Sequence, residues 1–475
     1  MKKWISILLM AALILSLTAC GESVTESQAE NSQEQEEVKT TKTADSDNHA
    51  PVTLSTAVYP KMAPYPNEED YVEPDGSLGD DFNEAYDAWW IDLRGQRDQP
   101  EGYADGLEGF LMESTRQFLS DASSENRVYS PLNVYLALAM LAELTDGQSR
   151  GQVLSLLGAD GVEAVRAQAK ALWNANYRDD GVVKSVLASS LWLNEDIHFI
   201  QSTLDTLAED YYASSFQGEM GSREYNQMLQ SWLNEQTGGL LSELASGIEM
   251  DARTLLALAM TIYFKAPWSN KFSDSMTDQQ LFHAEDEDIT VDFMHRHKAQ
   301  SYFWGDNFSA VSLELENNGA MWFLLPDEGV TPMELLDDSQ AMEFLLGGDQ
   351  YGWESTKFLT VNLSVPKFDV VSDMDLIPGL RALGITDVFD YTVSDFTPMT
   401  ADTDEIYVSQ AKHAARVKID EEGCEAAAYT VLMMSAGSAM PPDEEIDFTL
   451  DRPFLFCVTG AEGIPLFVGT VNTPH

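Results

Sequence analysis

Cysteine is scarce in this chain: Cys20, Cys424 and Cys457 in 475 residues. That excludes a disulfide framework and leaves too few thiolates for a zinc site unless histidines join them. Positive charge is scarce too. Lys and Arg number 27 against 79 Asp and Glu, a net charge of −52. Such a surface repels phosphate backbones and anionic lipid, which excludes nucleic-acid binding. It favours solubility, and basic partners or a salty medium. Beyond the first 20 residues no apolar run is long enough to span a bilayer. No short repeat period is visible. What is present is a hydrophobic share of 44%, enough to support a substantial core.

The first residues read as a targeting segment. Lys2 and Lys3 precede an apolar run, Trp4 to Leu17, and Leu17-Thr18-Ala19-Cys20 follows. This resembles the lipobox of bacterial lipoproteins, in which the cysteine is acylated and becomes the first residue. The alternative is a secretory signal with a cysteine there by chance. Both readings place the mature protein outside the cytoplasm, and the first anchors it to a membrane through lipid on Cys20. Residues 1–19 are then a leader. Residues 20–50, rich in Glu, Gln, Ser, Thr and Asn, form an acidic tether too polar to bury a core. With Cys20 lipidated, Cys424 and Cys457 are expected as two free thiols, although they could pair.

Residues 51–105 stay acidic but gain aromatics, among them Tyr59, Tyr65, Trp89 and Trp90. Phe82 to Leu93 has the spacing of a short amphipathic helix. The stretch reads as an arm packed on the main domain, or as a partner-binding motif. The globular domain is expected over 106–475. Leu107–Leu119 and Val134–Leu144 read as helices, with Ser130-Pro131 at the start of the second. Thr203–Tyr212 and Tyr225–Asn234 also read as helices. Val186–Leu193, Thr254–Phe264, Thr290–Met294, Phe308–Glu316, Ala320–Leu325 and Val361–Phe368 read as strands. A helix up to Gly384 is expected next, then a long strand from Tyr407 to Asp420 and two strands in the tail, Phe448 to Val471. Helices early and strands late predict an α+β fold with large sheets.

One stretch stands apart: Glu421 to Ser438, reading EEGCEAAAYTVLMMSAGS. By propensity alone it is a buried helix. Read as a strand, it alternates differently. Cys424, Ala426, Ala428, Thr430, Leu432 and Met434 share one face, and the one charge, Glu425, falls on the other. A face without charge can enter a sheet interior, where an unpaired charge would be costly. Fourteen such residues span roughly 45–50 Å.

Several motifs, in order and at consistent separation, resemble the serpin family from about 106 to 475. They are Asn126-Arg127-Val128-Tyr129-Ser130-Pro131, Ile262-Tyr263-Phe264-Lys265 with Trp268, and Leu324-Leu325-Pro326-Asp327-Glu328-Gly329. Pro366-Lys367-Phe368, Leu383-Gly384-Ile385, Asp395-Phe396, Arg452-Pro453-Phe454-Leu455-Phe456 and Phe467-Val468-Gly469 continue the series. Glu421-Glu422-Gly423 and Glu425-Ala426-Ala427-Ala428 resemble the hinge of inhibitory members. The resemblance implies three sheets, eight or nine helices and an exposed reactive loop. It also implies a mechanism. A serine protease cuts the loop and forms an acyl-enzyme, and the loop then inserts into the central sheet and traps it. The partner is therefore a protease held covalently by a monomer, with no cofactor and no metal.

The same resemblance assigns residues. The hinge comprises Glu421, Glu422, Gly423, Cys424, Glu425, Ala426, Ala427, Ala428 and Thr430, with Cys424 where the family usually has Thr or Ser. Ser130 and His413 match a buried polar pair under the central strands, and Met260 replaces the family's third member, an Asn. Lys367 and Glu421 match a pair at the top of the loop's strand, near Trp268. Counting seventeen residues from Glu421 places the scissile bond at Gly437–Ser438, with Ala436–Gly437 and Ser438–Ala439 as neighbouring frames. Small residues there suit elastase-like or subtilisin-like enzymes and not trypsin-like ones; Met434 and Met440 leave chymotrypsin-like targets open. Two other readings stand beside inhibition. One is a non-inhibitory serpin that binds or supports a partner. The other is a cysteine hydrolase using Cys424 with His413, which a single continuous strand would hold roughly 35 Å apart.

Overall fold

Ser130 and Pro131 begin a helix that is buried on almost every side. The Ser130 hydroxyl accepts from the Asn133 amide and Pro131 takes the first helical position, where a missing N–H costs nothing. Thirteen of the fourteen residues that follow are buried, so this helix forms the floor of the core. The computed structural model describes residues 50–73, 77–120, 125–316, 319–348, 350–424 and 442–474.

In chain order, β1 (Val52–Ser55) precedes α1 (Asp80–Arg97) and α2 (Glu108–Leu119). Next come β2 (Arg127–Tyr129), α3 (Pro131–Leu144), α4 (Gly147–Leu156) and α5 (Val162–Asn176). They lead to β3 (Arg178–Asp179), β4 (Lys184–Asn194), α6 (Gln201–Asp210), β5 (Ala213–Gly218), α7 (Arg223–Gln236) and α8 (Ser242–Ala245). The later half is mostly strand. β6 (Leu256–Pro267), β7 (Thr277–His283), β8 (Asp288–Trp304), β9 (Phe308–Glu314) and β10 (Ala320–Pro326) come before α9 (Pro332–Asp337) and α10 (Ser339–Leu346). Then follow β11 (Thr356–Pro366), β12 (Phe368–Asp375), α11 (Ile377–Ala382), β13 (Lys412–Ile419) and β14 (Gly423–Cys424). β15 (Glu445–Thr449), β16 (Phe454–Thr459) and β17 (Pro465–Val471) close the chain. Among the described residues, eight of these helices have eight residues or more.

The strands form two hydrogen-bonded networks. The first has the order β1-β5-β4-β6-β14-β13-β12. The second runs β15-β11-β8-β9-β10-β16-β17-β2, with β7 beside β8. The second contains two lobes that meet where Phe303 and Trp304 of β8 pair with Ala310 and Ser309 of β9. The three expected sheets are thus the first network and these two lobes. α7 lies over the first network, where Tyr225, Leu229 and Leu233 bury against Trp192.

Two sequence expectations change. The segment after Phe368 is a strand before it is a helix. Phe368, Val370, Ser372 and Met374 are buried while Val371, Asp373 and Asp375 are exposed, an alternation of period two. The strand expected from Tyr407 begins only at Lys412. The Val408 amide bonds to Val388 and the Ala411 carbonyl to Leu376, so this stretch serves loops rather than a ladder.

Candidate functional site

The chain reverses at Asp420–Gly423. The Asp420 amide bonds to the Gly423 carbonyl at 3.1 Å, and the Asp420 carboxylate accepts the Glu422 amide at 2.9 Å. The reversal feeds Gly423 and Cys424 between two other strands. Gly423 lies opposite Pro267 and Cys424 opposite Ala266 on β6; on the other side Cys424 lies opposite Ile419 of β13. Gly423 is required by close approach. A Cβ there would lie 2.4 Å from the Ala266 carbonyl oxygen. Cys424 is 2% exposed.

The turn is held from three directions. The Trp268 indole donates to the Asp420 carbonyl at 2.8 Å and its amide to the Glu422 carbonyl at 3.0 Å. The Phe272 amide donates to the Glu421 carbonyl. The Lys367 ammonium sits 2.6 Å from a Glu421 carboxylate oxygen, and the Thr277 hydroxyl donates to the same carboxylate at 2.7 Å. Lys271 pairs with Glu422. Burial pushes the Glu421 carboxyl up, but the Lys367 and Thr277 bonds outweigh it and hold the group below its ordinary range.

Below Cys424 the two flanking strands change character. Among the described residues no ladder joins β6 directly to β13. Ala257, Leu258, Ala259 and Met260 are only half-buried, although their strand is central in the sheet. Cavities of about 90 and 70 Å³ lie along this length, and Leu258, Met260, Gln410 and Lys412 border both. Met260, opposite Ser189 of β4, therefore sits on the open margin of β6.

His413 lies on the other margin, fully buried. Its Nε2 accepts the Ser130 amide at 3.1 Å, while the Ser130 hydroxyl donates to the Leu466 carbonyl at 2.6 Å. Ser130 and His413 are thus paired and buried, with His413 reading the Ser130 backbone because the hydroxyl is drawn to Leu466. Burial pushes the imidazole down to about 4, so at neutral pH it is uncharged and can accept. The hydrolase reading does not fit. His413 and Ile419, the residue opposite Cys424, are six positions apart on β13, or roughly 20 Å. Among the described residues no group of three His, Cys, Asp or Glu could hold a metal, and no helix is long and apolar enough to cross a membrane.

The structure thus gathers Glu421, Glu422, Gly423, Cys424, Lys367 and Trp268 at one turn. It sets Ser130, His413 and Met260 lower on the same sheet. Glu425, Ala426, Ala427, Ala428, Thr430, the Gly437–Ser438 bond and Cys20 lie outside the described residues. Thr277, Lys271 and Phe272 complete the turn and were not foreseen. Thr277 meets Glu421 across 144 positions, and no local pattern announces it.

Comparison with known proteins gives a consistent answer. Residues 106–474 match the family model described as serpin (serine protease inhibitor). The chain is 29% identical over 371 residues to a leukocyte elastase inhibitor of Homo sapiens, covering 75% of this chain and 95% of that protein. It is 27% identical over 367 residues to Serpin-ZX of Arabidopsis thaliana, covering 74% and 93%. Among solved structures, Arabidopsis AtSerpin1 in its native stressed conformation aligns with a TM-score of 0.67 and 26% identity, over 81% of this chain and 99% of that one. The thermophilic serpin tengpin in its native state aligns at 0.70 with 23% identity, over 79% and 95%, a likeness of fold. By the family model matched over residues 106–474, this chain belongs to the serpin family.

Proposed function

We propose that the protein is an irreversible suicide inhibitor of serine endopeptidases, tethered outside the cell by lipid on Cys20. A protease attacks the loop after Cys424, with Gly437–Ser438 as the bond cut. The cut loop then extends the two-residue strand β14 down between β6 and β13 before the acyl-enzyme hydrolyses. The observation carrying this reading is that β14 already lies in the sheet, between two strands that no ladder joins directly among the described residues. The residues that follow, Ala426, Ala428 and Thr430, bring no charge to the inward face. Small residues at the bond favour elastase-like or subtilisin-like targets, and a family that includes an elastase inhibitor agrees with that choice. The test is incubation with an elastase-like protease followed by denaturing electrophoresis. A covalent complex is expected, and Ala428→Arg should abolish it while leaving the loop cleavable. Equal complex formation by that variant would sink the proposal.

A further inference from the structure

The arm ahead of the family-matched residues is built into the body at several points. β1 pairs with the outer edge of β5, with Val52 opposite Gln217 and Thr53 opposite Phe216. The Tyr59 ring packs on Trp173 and Tyr177 at 5.3 and 5.6 Å. The Gln96 amide donates to the carbonyls of Asn174 and Tyr177.

A further anchor is a buried charge. The Asp180 carboxylate has no exposed surface. It accepts from the amides of Val182 and Val183, from Arg178 Nε at 2.5 Å, and from the indole of Trp89 in the arm at 2.9 Å. The Asp180 carbonyl also takes the Tyr65 amide of the arm. The Arg178 guanidinium lies 5.4 Å over the Trp89 ring. Its Nη1 reaches the Glu316 carbonyl at 2.7 Å, and the Glu316 amide donates to the Pro267 carbonyl at 3.0 Å. Pro267 is the residue opposite Gly423, and Trp268 next to it holds Glu422. A path of hydrogen bonds and intervening backbone therefore links Trp89 to Glu422 at the hinge.

We propose that the arm regulates the hinge through Trp89, Asp180, Arg178 and Glu316, holding the end of β6 in the position that keeps Cys424 seated. The physical reason is that Arg178 serves two partners at once in a dry site. With the indole in place, Asp180 is fully satisfied and Arg178 is fixed between it and Glu316. Without the indole, a buried carboxylate lacks one donor, and Arg178 must shift to compensate. The shift loosens Glu316 and, through it, Pro267. The strand alongside which the cut loop would insert is thereby braced from outside the family domain.

As a control on loop insertion this inference rests on the function proposed above, but its test reads the hinge directly. Full-length wild type, Trp89→Phe and Arg178→Lys are treated with N-ethylmaleimide, and labelling of each cysteine is followed by peptide mass mapping. Phe keeps the ring and loses the donor; Lys keeps the charge and cannot serve Asp180 and Glu316 together. Cys424 should label ~2–10-fold faster in both variants, the factor expected for one lost hydrogen bond. Cys457, buried in the second network, should label at the wild-type rate. Unchanged Cys424 labelling in both variants, or equal acceleration of Cys424 and Cys457, would overturn the coupling. Neither result depends on whether the protein traps a protease.

Discussion

The Lys367 ammonium lies 2.6 Å from the Glu421 carboxylate at the point where the chain turns into its first sheet. Glu421 is 8% exposed, so the pair is not an ordinary surface contact. Its folded carboxyl is held below the ordinary value of about 4.5. The stability it contributes is therefore complete above that ordinary value and is lost as pH falls through the lower folded one. Glu421→Gln should cost about 1–3 kcal/mol at pH 7, because Lys367 loses its counter-charge. The variant should also show a smaller loss of stability in acid than wild type. Urea denaturation at pH 7 and at pH 3.5 checks both.

His413 gives a second pH dependence in a higher window. Its ordinary value is 6.5 and its folded one about 4. Above 6.5 both states are neutral and nothing is lost. Between 6.5 and 4 the unfolded chain takes up a proton that the folded one refuses. Stability therefore falls by up to about 3 kcal/mol over that window and is level below it. His413→Asn should flatten the curve between pH 6.5 and 4. An undiminished slope in the variant would assign the acid sensitivity elsewhere.

Gly423→Ala places a Cβ against the Ala266 carbonyl, a contact that backbone on both sides must move to relieve. About 1–3 kcal/mol of destabilisation is expected. The loss should be local. Hydrogen exchange should quicken at Cys424, Ala266 and Ile419, and not at β16 or β17 in the second network. Uniform exchange across both networks would contradict the placement of β14.

The sequence made the fold legible through local chemistry. Ser130-Pro131 caps a helix and Leu324-Leu325-Pro326 ends a strand. Each signal spans a few residues and needs no partner to be read. What was missed is long-range. β12 reads poorly because Asp369, Asp373 and Asp375 lower its strand propensity, yet Asp373 and Asp375 are exposed, on the face away from the buried residues. The Ser130–His413 pair was expected, but not that the Ser130 amide makes it while Leu466, 336 positions away, takes the hydroxyl. Asp180 looks like a turn carboxylate in Asp179-Asp180-Gly181, and its partner Trp89 is 91 positions away. Charge burial of that kind follows from packing, which no short pattern encodes.

The central claim is that the intact fold stores free energy that loop insertion releases. Thermal unfolding of the intact chain and of the chain cut once near Gly437 by a non-target protease tests it most directly. The account predicts that the cut protein melts well above the intact one, because the freed loop completes the sheet between β6 and β13. An equal or lower melting temperature after the cut would contradict it.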